Sequence, residues 1–211
     1  MSGVPVPVIV IQVLSAIFVI GITFAWYLGL FQKIKFEKGC IDDDTIFVYQ
    51  TGKGPYSEIG PCFERVLTCL KKIGMNDKID TVGMYYDDPK TTDTPRYDYG
   101  FFIQNHHHTN NKTAPTHKNI CLNTEQESVL KNDGWKFIHL KKTDTIVSYF
   151  PSYIVPLSCI ISAMKTYPAF QRHSEKFNIT LKCGSVEIYR KQFIETHFPQ
   201  ENVEQFQPKC D

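Results

Sequence analysis

The sequence predicts an α+β protein in which one long apolar helix precedes a single domain of mixed strands and helices. Three observations predict it. Val8 to Leu30 runs without a charged residue. Beyond it, runs of β-branched and aromatic residues alternate with segments of helical period. The order of those segments then repeats once within the remainder of the chain.

The apolar run is interrupted only by Gln12, Ser15, Thr23 and two glycines. At ~1.5 Å per residue it makes a helix roughly 34 Å long, enough for a hydrocarbon core of ~30 Å. Pro5 and Pro7 suit its entry, and Trp26 and Tyr27 lie near the far end, where amphipathic rings favour an interface. A cleaved signal would have a basic start and a shorter apolar stretch, and a buried core helix is rarely apolar for so long. The expectation is a membrane anchor over residues 1–32, with the lipid bilayer as its partner. Lys33, Lys35 and Lys38 follow it and none precedes it, which puts the rest of the chain on the cytosolic side. The sequons at Asn111 and Asn178 would carry glycans only in the opposite orientation.

About 170 residues remain, one domain of ordinary size. With 23 basic and 22 acidic residues there is no field to draw nucleic acid. The seven cysteines are odd in number and include no Cys-x-x-Cys pair, so reduced thiols are expected rather than a disulfide framework or a zinc site. No metal and no cofactor is called for.

Residues 33–43 read as a juxtamembrane connector, residues 44–192 as the domain and residues 193–211 as a tail. Thr45 to Thr51 is strand-like, and Gly52, Gly54 and Pro55 turn the chain. Ile59, Phe63, Val66, Leu67 and Leu70 recur at helical spacing, closed by Lys71, Lys72 and Gly74. Thr81 to Tyr86 and Tyr97 to Gln104 give two further strands. The polar stretch Asn105 to Asn119 holds His106, His107, His108 and His117; consecutive histidines converge poorly on one ion, so a solvated loop is expected. Trp135 to Leu140 and Thr145 to Phe150 read as paired strands. A helix follows from Pro156, with Leu157, Ile160, Ile161 and Met164 as its apolar positions, and Ser185 to Arg190 is the last strand. Asp44-Thr45-Ile46 and Asp144-Thr145-Ile146 each open a strand-turn-helix unit, consistent with a pseudo-duplicated β-α-β-β domain whose halves leave a groove between them.

Gly54-Pro55-Tyr56-Ser57-Glu58-Ile59-Gly60 with Phe63 and Leu67 resembles the entry to the first helix of GyrI-like domains. Tyr85-Tyr86-Asp87-Asp88-Pro89 resembles that family's strand-ending motif, and Glu187-Ile188-Tyr189 its last strand. The whole arrangement, an N-terminal membrane helix plus a GyrI-like domain of SHS2 type, is similar to the testis-expressed protein 264 family. That resemblance implies an endoplasmic reticulum membrane adaptor acting in selective autophagy of that organelle, with the p97 segregase and an autophagy modifier as partners. Family receptors carry an acidic tail with an aromatic-x-x-aliphatic motif. Here the sequence ends at Asp211, and the matches at Trp135 to Ile138 and Phe137 to Leu140 fall inside a strand whose edges are expected to be paired.

The resemblance also implies that Glu187 faces the groove and meets cationic or aromatic ligands. Tyr56, Tyr85, Trp135 and Tyr149 are the candidate walls, which would hold a cation by charge and ring quadrupole. The bland alternatives are a solvent-facing Glu187 between inward Val186 and Ile188, and tyrosines that simply pack. No nucleophile with an oriented base is visible in the sequence, and it lacks a phosphate loop and a His-Glu-x-x-His motif, so no enzyme is expected. A membrane-tethered small-molecule-binding or hydrolase domain using Glu187 is the alternative function.

Overall fold

In the computed structural model, residues 6–43, 45–75, 79–104, 121–180 and 183–208 are described. The apolar run forms helix α1, Val6–Tyr27. Over Val8–Tyr27 its mean hydropathy is 2.6 and none of it is buried against the protein, so it is long and apolar enough to cross a membrane. It stops three residues before the apolar run does. Gly29 takes φ 78°, and the Gly29 and Leu30 amides return to the Trp26 and Ala25 carbonyls, which caps the helix. Leu28 is thereby turned inward, against Phe150 and Ile161.

Eight strands follow: β1 Glu37–Ile41, β2 Thr45–Lys53, β3 Thr81–Tyr85, β4 Arg96–Gln104, β5 Lys136–His139, β6 Thr143–Pro151, β7 Ser185–Tyr189 and β8 Phe193–Pro199. They form one curled antiparallel sheet in the order β1-β6-β8-β7-β3-β4-β2-β5. Three helices accompany them: α2 Gly60–Lys72, α3 Thr124–Asn132 and α4 Val155–Phe177. The α+β class holds, and the doubling is real: β2-α2-β3-β4 and β6-α4-β7-β8 have the same order, and their third elements, β3 and β7, pair at the centre of the sheet. The repeated Thr-Ile marks equivalent places, since Thr45 and Thr145 each open the pairing of their strand with the last strand of their own half, β4 and β8.

Alternation divides the sheet into two buried faces. On one, Val48, Phe101 and Trp135 pack under Val66 and Leu70 of α2 and Leu130 of α3. On the other, Phe47, Val82, Met84, Val186 and Ile188 are closed off by Phe206. Burial on both sides is why strands such as β2 read as continuous apolar runs rather than as clean alternations.

Several sequence expectations are corrected. The connector 33–43 contains β1, which pairs with β6 through Glu37 opposite Val147 and Ile41 opposite Thr143. The tail 193–211 contains β8 and a 3-10 turn, Val203–Phe206, whose Phe206 is 1% exposed. Truncating Phe206 to alanine is therefore expected to cost roughly 3–5 kcal/mol, read as a lower urea midpoint; an unchanged midpoint would mean that the C-terminal segment is a true tail. β5 and β6 are not partners: β5 pairs with β2, and β6 with β1 and β8. β5 is thus an edge strand, but Phe137 and Ile138 pack into the two cores and Trp135 and Leu140 are buried, so the aromatic-x-x-aliphatic segments have no free side chains to offer. Helix α3 was not anticipated; Asn123 and Gln126 form its capping box. His106, His107, His108, His117 and the Asn111 sequon lie outside the described residues. Asn178, the other sequon, ends α4 in a left-handed turn.

The largest surprise is the orientation of α4. Of its four apolar positions, Ile161 is buried and Leu157 packs beside it, but Ile160 and Met164 face outward, and Ser158, Ser162, Thr166 and Phe170 complete the buried side. Small hydroxyl side chains let α4 lie close over β6 and β8. A reading by hydrophobicity alone finds Leu157 and Ile161 but misses the serine and threonine positions that are buried beside them.

Candidate functional site

β7 reads Ser-Val-Glu-Ile-Tyr, so Ser185, Glu187 and Tyr189 share one face while Val186 and Ile188 fill the core on the other. The polar face looks toward α2 and α4, whose Phe63 and Tyr167 meet Tyr189 and Glu187. Its neighbour across the β3 pairing is Gly83, directly opposite Glu187. A Cβ at Gly83 would lie 2.9 Å from the ring of Tyr85, so the glycine makes the space in which that ring lies over β3. From there the Tyr85 hydroxyl stands 2.5 Å from that of Tyr189.

Glu187 is 6% exposed and fully engaged by phenols. Tyr167, from α4, donates to Oε1 at 2.7 Å, and Tyr189 donates to Oε2 at 2.7 Å. An ionised carboxylate only accepts, which sets the direction of every proton behind it. Tyr85 donates to the Tyr189 oxygen, and Ser185, 2.7 Å from Tyr167, donates to the Tyr167 oxygen. Two short donor chains therefore converge on one buried carboxylate. The outer wall is aromatic: Tyr56 meets Tyr85 edge-on at 4.9 Å, and Phe63 of α2 meets Tyr189 edge-on at 4.9 Å. Tyr56 is itself fixed by donating to the Asp87 carbonyl at 2.8 Å.

Burial pushes the Glu187 carboxyl above its ordinary range, and the hydrogen bonds from Tyr189 and Tyr167 pull the other way without cancelling it. Its field reaches its neighbours. Burial, then the charge of Glu187, lifts the Cys159 thiol of α4 to about 12, so this is no thiolate nucleophile at neutral pH. Among the described residues Glu187 forms no ion pair.

The second buried carboxylate, Glu195, is the useful contrast. It pairs with Arg190 at 2.7 Å and with His197 at 2.9 Å, and His197 in turn meets the Thr145 hydroxyl at 2.9 Å. Arg190 reaches Asp80 at 2.8 Å on its other side. Burial alone would raise Glu195, but His197 and Arg190 outweigh it and hold the carboxyl at about 2. Hydroxyl, imidazole and carboxylate here resemble a nucleophile triad in order, yet Thr145 is 3% exposed and lies on the opposite face from Glu187. This is a structural network.

Of the five residues singled out from sequence, Glu187, Tyr85 and Tyr56 come together. Trp135 does not join them: it is 5% exposed in the core, edge-on to Tyr99 at 6.3 Å. Tyr149 is also excluded, because the ladder puts it opposite Glu195 on the other face of the sheet, where it packs on Phe193 at 5.7 Å. Tyr167, Tyr189, Phe63 and Ser185 were missed. The i, i+2, i+4 polar row of β7 is a signal that could have found Ser185 and Tyr189. Tyr167 has none, since its place depends on how α4 is rotated. A separate cavity of about 370 Å³ lined by Lys53, Asp87, Thr91, Thr92, Thr94 and Arg96 lies at the β3–β4 turn, where Arg96 and Asp87 neutralise each other at 2.7 Å.

No protein-family model matches the chain, and no curated protein does. Solved structures with a similar chain path exist. The EcmrR C-terminal domain superposes with a TM-score of 0.49 at 12% identity, covering 81% of this chain and 99% of that one. SAV2435 bound to tetraphenylphosphonium gives 0.48 at 9% identity over 81% and 96%. A hydrolase from Listeria innocua gives 0.46 at 11% identity over 83% and 98%. Likeness at this level leaves the chemistry of the site to its own residues.

Proposed function

We propose that this domain binds a lipophilic or aromatic organic cation at Glu187, between α2 and α4, with α1 holding it at a membrane. The observation that carries the reading is Glu187: a buried carboxylate, ringed by phenols, with no cationic side chain paired to it among the described residues. Burying such a charge unpaired is costly unless the group is protonated or a cation arrives. Glu195 shows what this sequence does when a buried carboxylate is structural: it supplies an arginine and a histidine. Tyr56, Phe63, Tyr85, Tyr167 and Tyr189 supply ring faces, which suit a cation dressed in apolar groups better than a hydrated metal ion. The rings close over Glu187, so binding turns one or more of them aside. The motifs resembling GyrI-like domains support the same reading.

Titration of the full chain in detergent micelles with tetraphenylphosphonium tests it. Saturable binding is expected, weakened at least tenfold by Glu187→Gln; equal binding to both proteins would remove Glu187 from the site. Consumption of an ester or amide probe during such a titration, lost in the same variant, would favour the hydrolase alternative. The wider role carried by the sequence resemblance, an adaptor on the cytosolic face of the endoplasmic reticulum engaging the p97 segregase and an autophagy modifier, is a second proposal. It is favoured only by the apolar helix ahead of the domain. Binding of purified p97 to the membrane-reconstituted chain tests it, and no binding counts against it.

A further inference from the structure

We infer that the outward face of α4 rests on the same bilayer that α1 enters. That face is apolar where a solvated helix would be polar: Ile160 is 59% exposed and Met164 72%, and Tyr153, Ile154 and Val155 continue the patch at the start of the helix. Among the described residues nothing covers it. Its position decides what does.

The end of α1 is fastened to this part of α4. Tyr27 stacks on Tyr153 at 4.6 Å, and Leu28 is buried against Phe150 and Ile161. Lys165 donates to the Leu30 carbonyl at the capped end of α1, where a cation also suits the helix dipole. Trp26, 71% exposed, sits one residue before Tyr27 at the level where indole rings favour an interface. Because α1 leaves the membrane at this junction, the first turns of α4 lie at the depth of the headgroups. Phe31 is also exposed there, and the exposed Lys33 and Lys35 follow directly, able to reach phosphates. An apolar face flanked by aromatics and lysines is the pattern of a helix lying in an interface.

The consequence for the site is direct. Cys159 and Tyr167, on the groove side of α4, occupy the row beside Ile160 and Met164. A lipophilic cation dissolved in the membrane surface would thus meet the groove from the lipid side. This inference rests on reading α1 as membrane-spanning, and the test separates the two.

A photoreactive leucine analogue is placed at position 26, 164 or 131 of the full chain in phosphatidylcholine nanodiscs. Lys131, on α3, serves as the solvent control. Lipid adducts are expected at 26 and 164 and not at 131. An adduct at 26 with none at 164 overturns the docking of α4 and leaves the anchor standing. No adduct at 26 overturns the anchor, and the docking with it. A chain-to-chain adduct at 164 in place of a lipid adduct identifies a second copy as the occupant and also overturns the inference.

Discussion

Replacing Glu195 with glutamine is expected to destabilise the protein by about 3 kcal/mol, the scale of breaking a buried ion pair from one side. Arg190 is only 8% exposed in its side chain and loses its most buried carboxylate, while the new amide sets a donor against donors. The same magnitude follows from titration: a fall from 4.5 to about 2 corresponds to roughly 3 kcal/mol of preference for the ionised form. The sign of the pH dependence is fixed as well. A depressed carboxyl contributes stability that is present above 4.5 and is lost as pH falls toward 2. Urea denaturation of wild type should therefore weaken steeply over that acid range, and the Glu195→Gln variant should start low and fall less. A variant as stable as wild type at neutral pH would mean that the Thr145–His197–Glu195–Arg190 network is not structural.

Glu187→Gln is expected to act in the opposite direction, raising the stability of the unliganded protein by about 1 kcal/mol at neutral pH. Here the folded state holds the carboxyl above its ordinary value of 4.5, so the ionised form is the costly one. That cost is absent below 4.5 and grows as pH rises through the raised value. Glutamine keeps acceptor oxygen for one phenol and removes the charge. Two identical chemical changes, eight residues apart, thus give opposite signs, because Glu195 is paired with Arg190 and Glu187 has no cationic partner among the described residues. Thermal denaturation in micelles distinguishes them; a destabilised Glu187→Gln would assign Glu187 to the fold rather than to a ligand. Stability held back at a site in exchange for function is a general cost of binding sites.

The sequence read well wherever one period dominated. α1, β2, β3, β4, β6 and β7 were legible because their runs are apolar and bounded by turns, and the doubling was legible because Thr45-Ile46 and Thr145-Ile146 sit at equivalent strand openings. Glu187 was found through motif resemblance, and its burial removes the solvent-facing alternative. What failed shares a cause. β1 and β8 were missed because each is short or polar on one face, Glu-Lys-Gly-Cys-Ile and Phe-Ile-Glu-Thr-His-Phe-Pro, and owes its state to the strands beside it. On α4 only Leu157 and Ile161 were legible as inward, because exposed Ile160 and Met164 read as equally apolar and much of the buried side is serine and threonine. Trp135 and Tyr149 were put in the groove by chemical type alone; strand register sends one into the core and the other to the far face.

The proton at Glu187 gives the most direct measurement. Titration calorimetry with tetraphenylphosphonium, run in two buffers of different ionisation enthalpy, counts protons exchanged on binding. A cation favours the carboxylate and so lowers its raised pKa; in acid, where the free carboxyl is protonated, protons should be released on binding, and affinity should climb with pH until the free carboxyl is itself ionised. Binding with no proton release in acid, and of equal strength in Glu187→Gln at every pH, would contradict a cation site built on this residue.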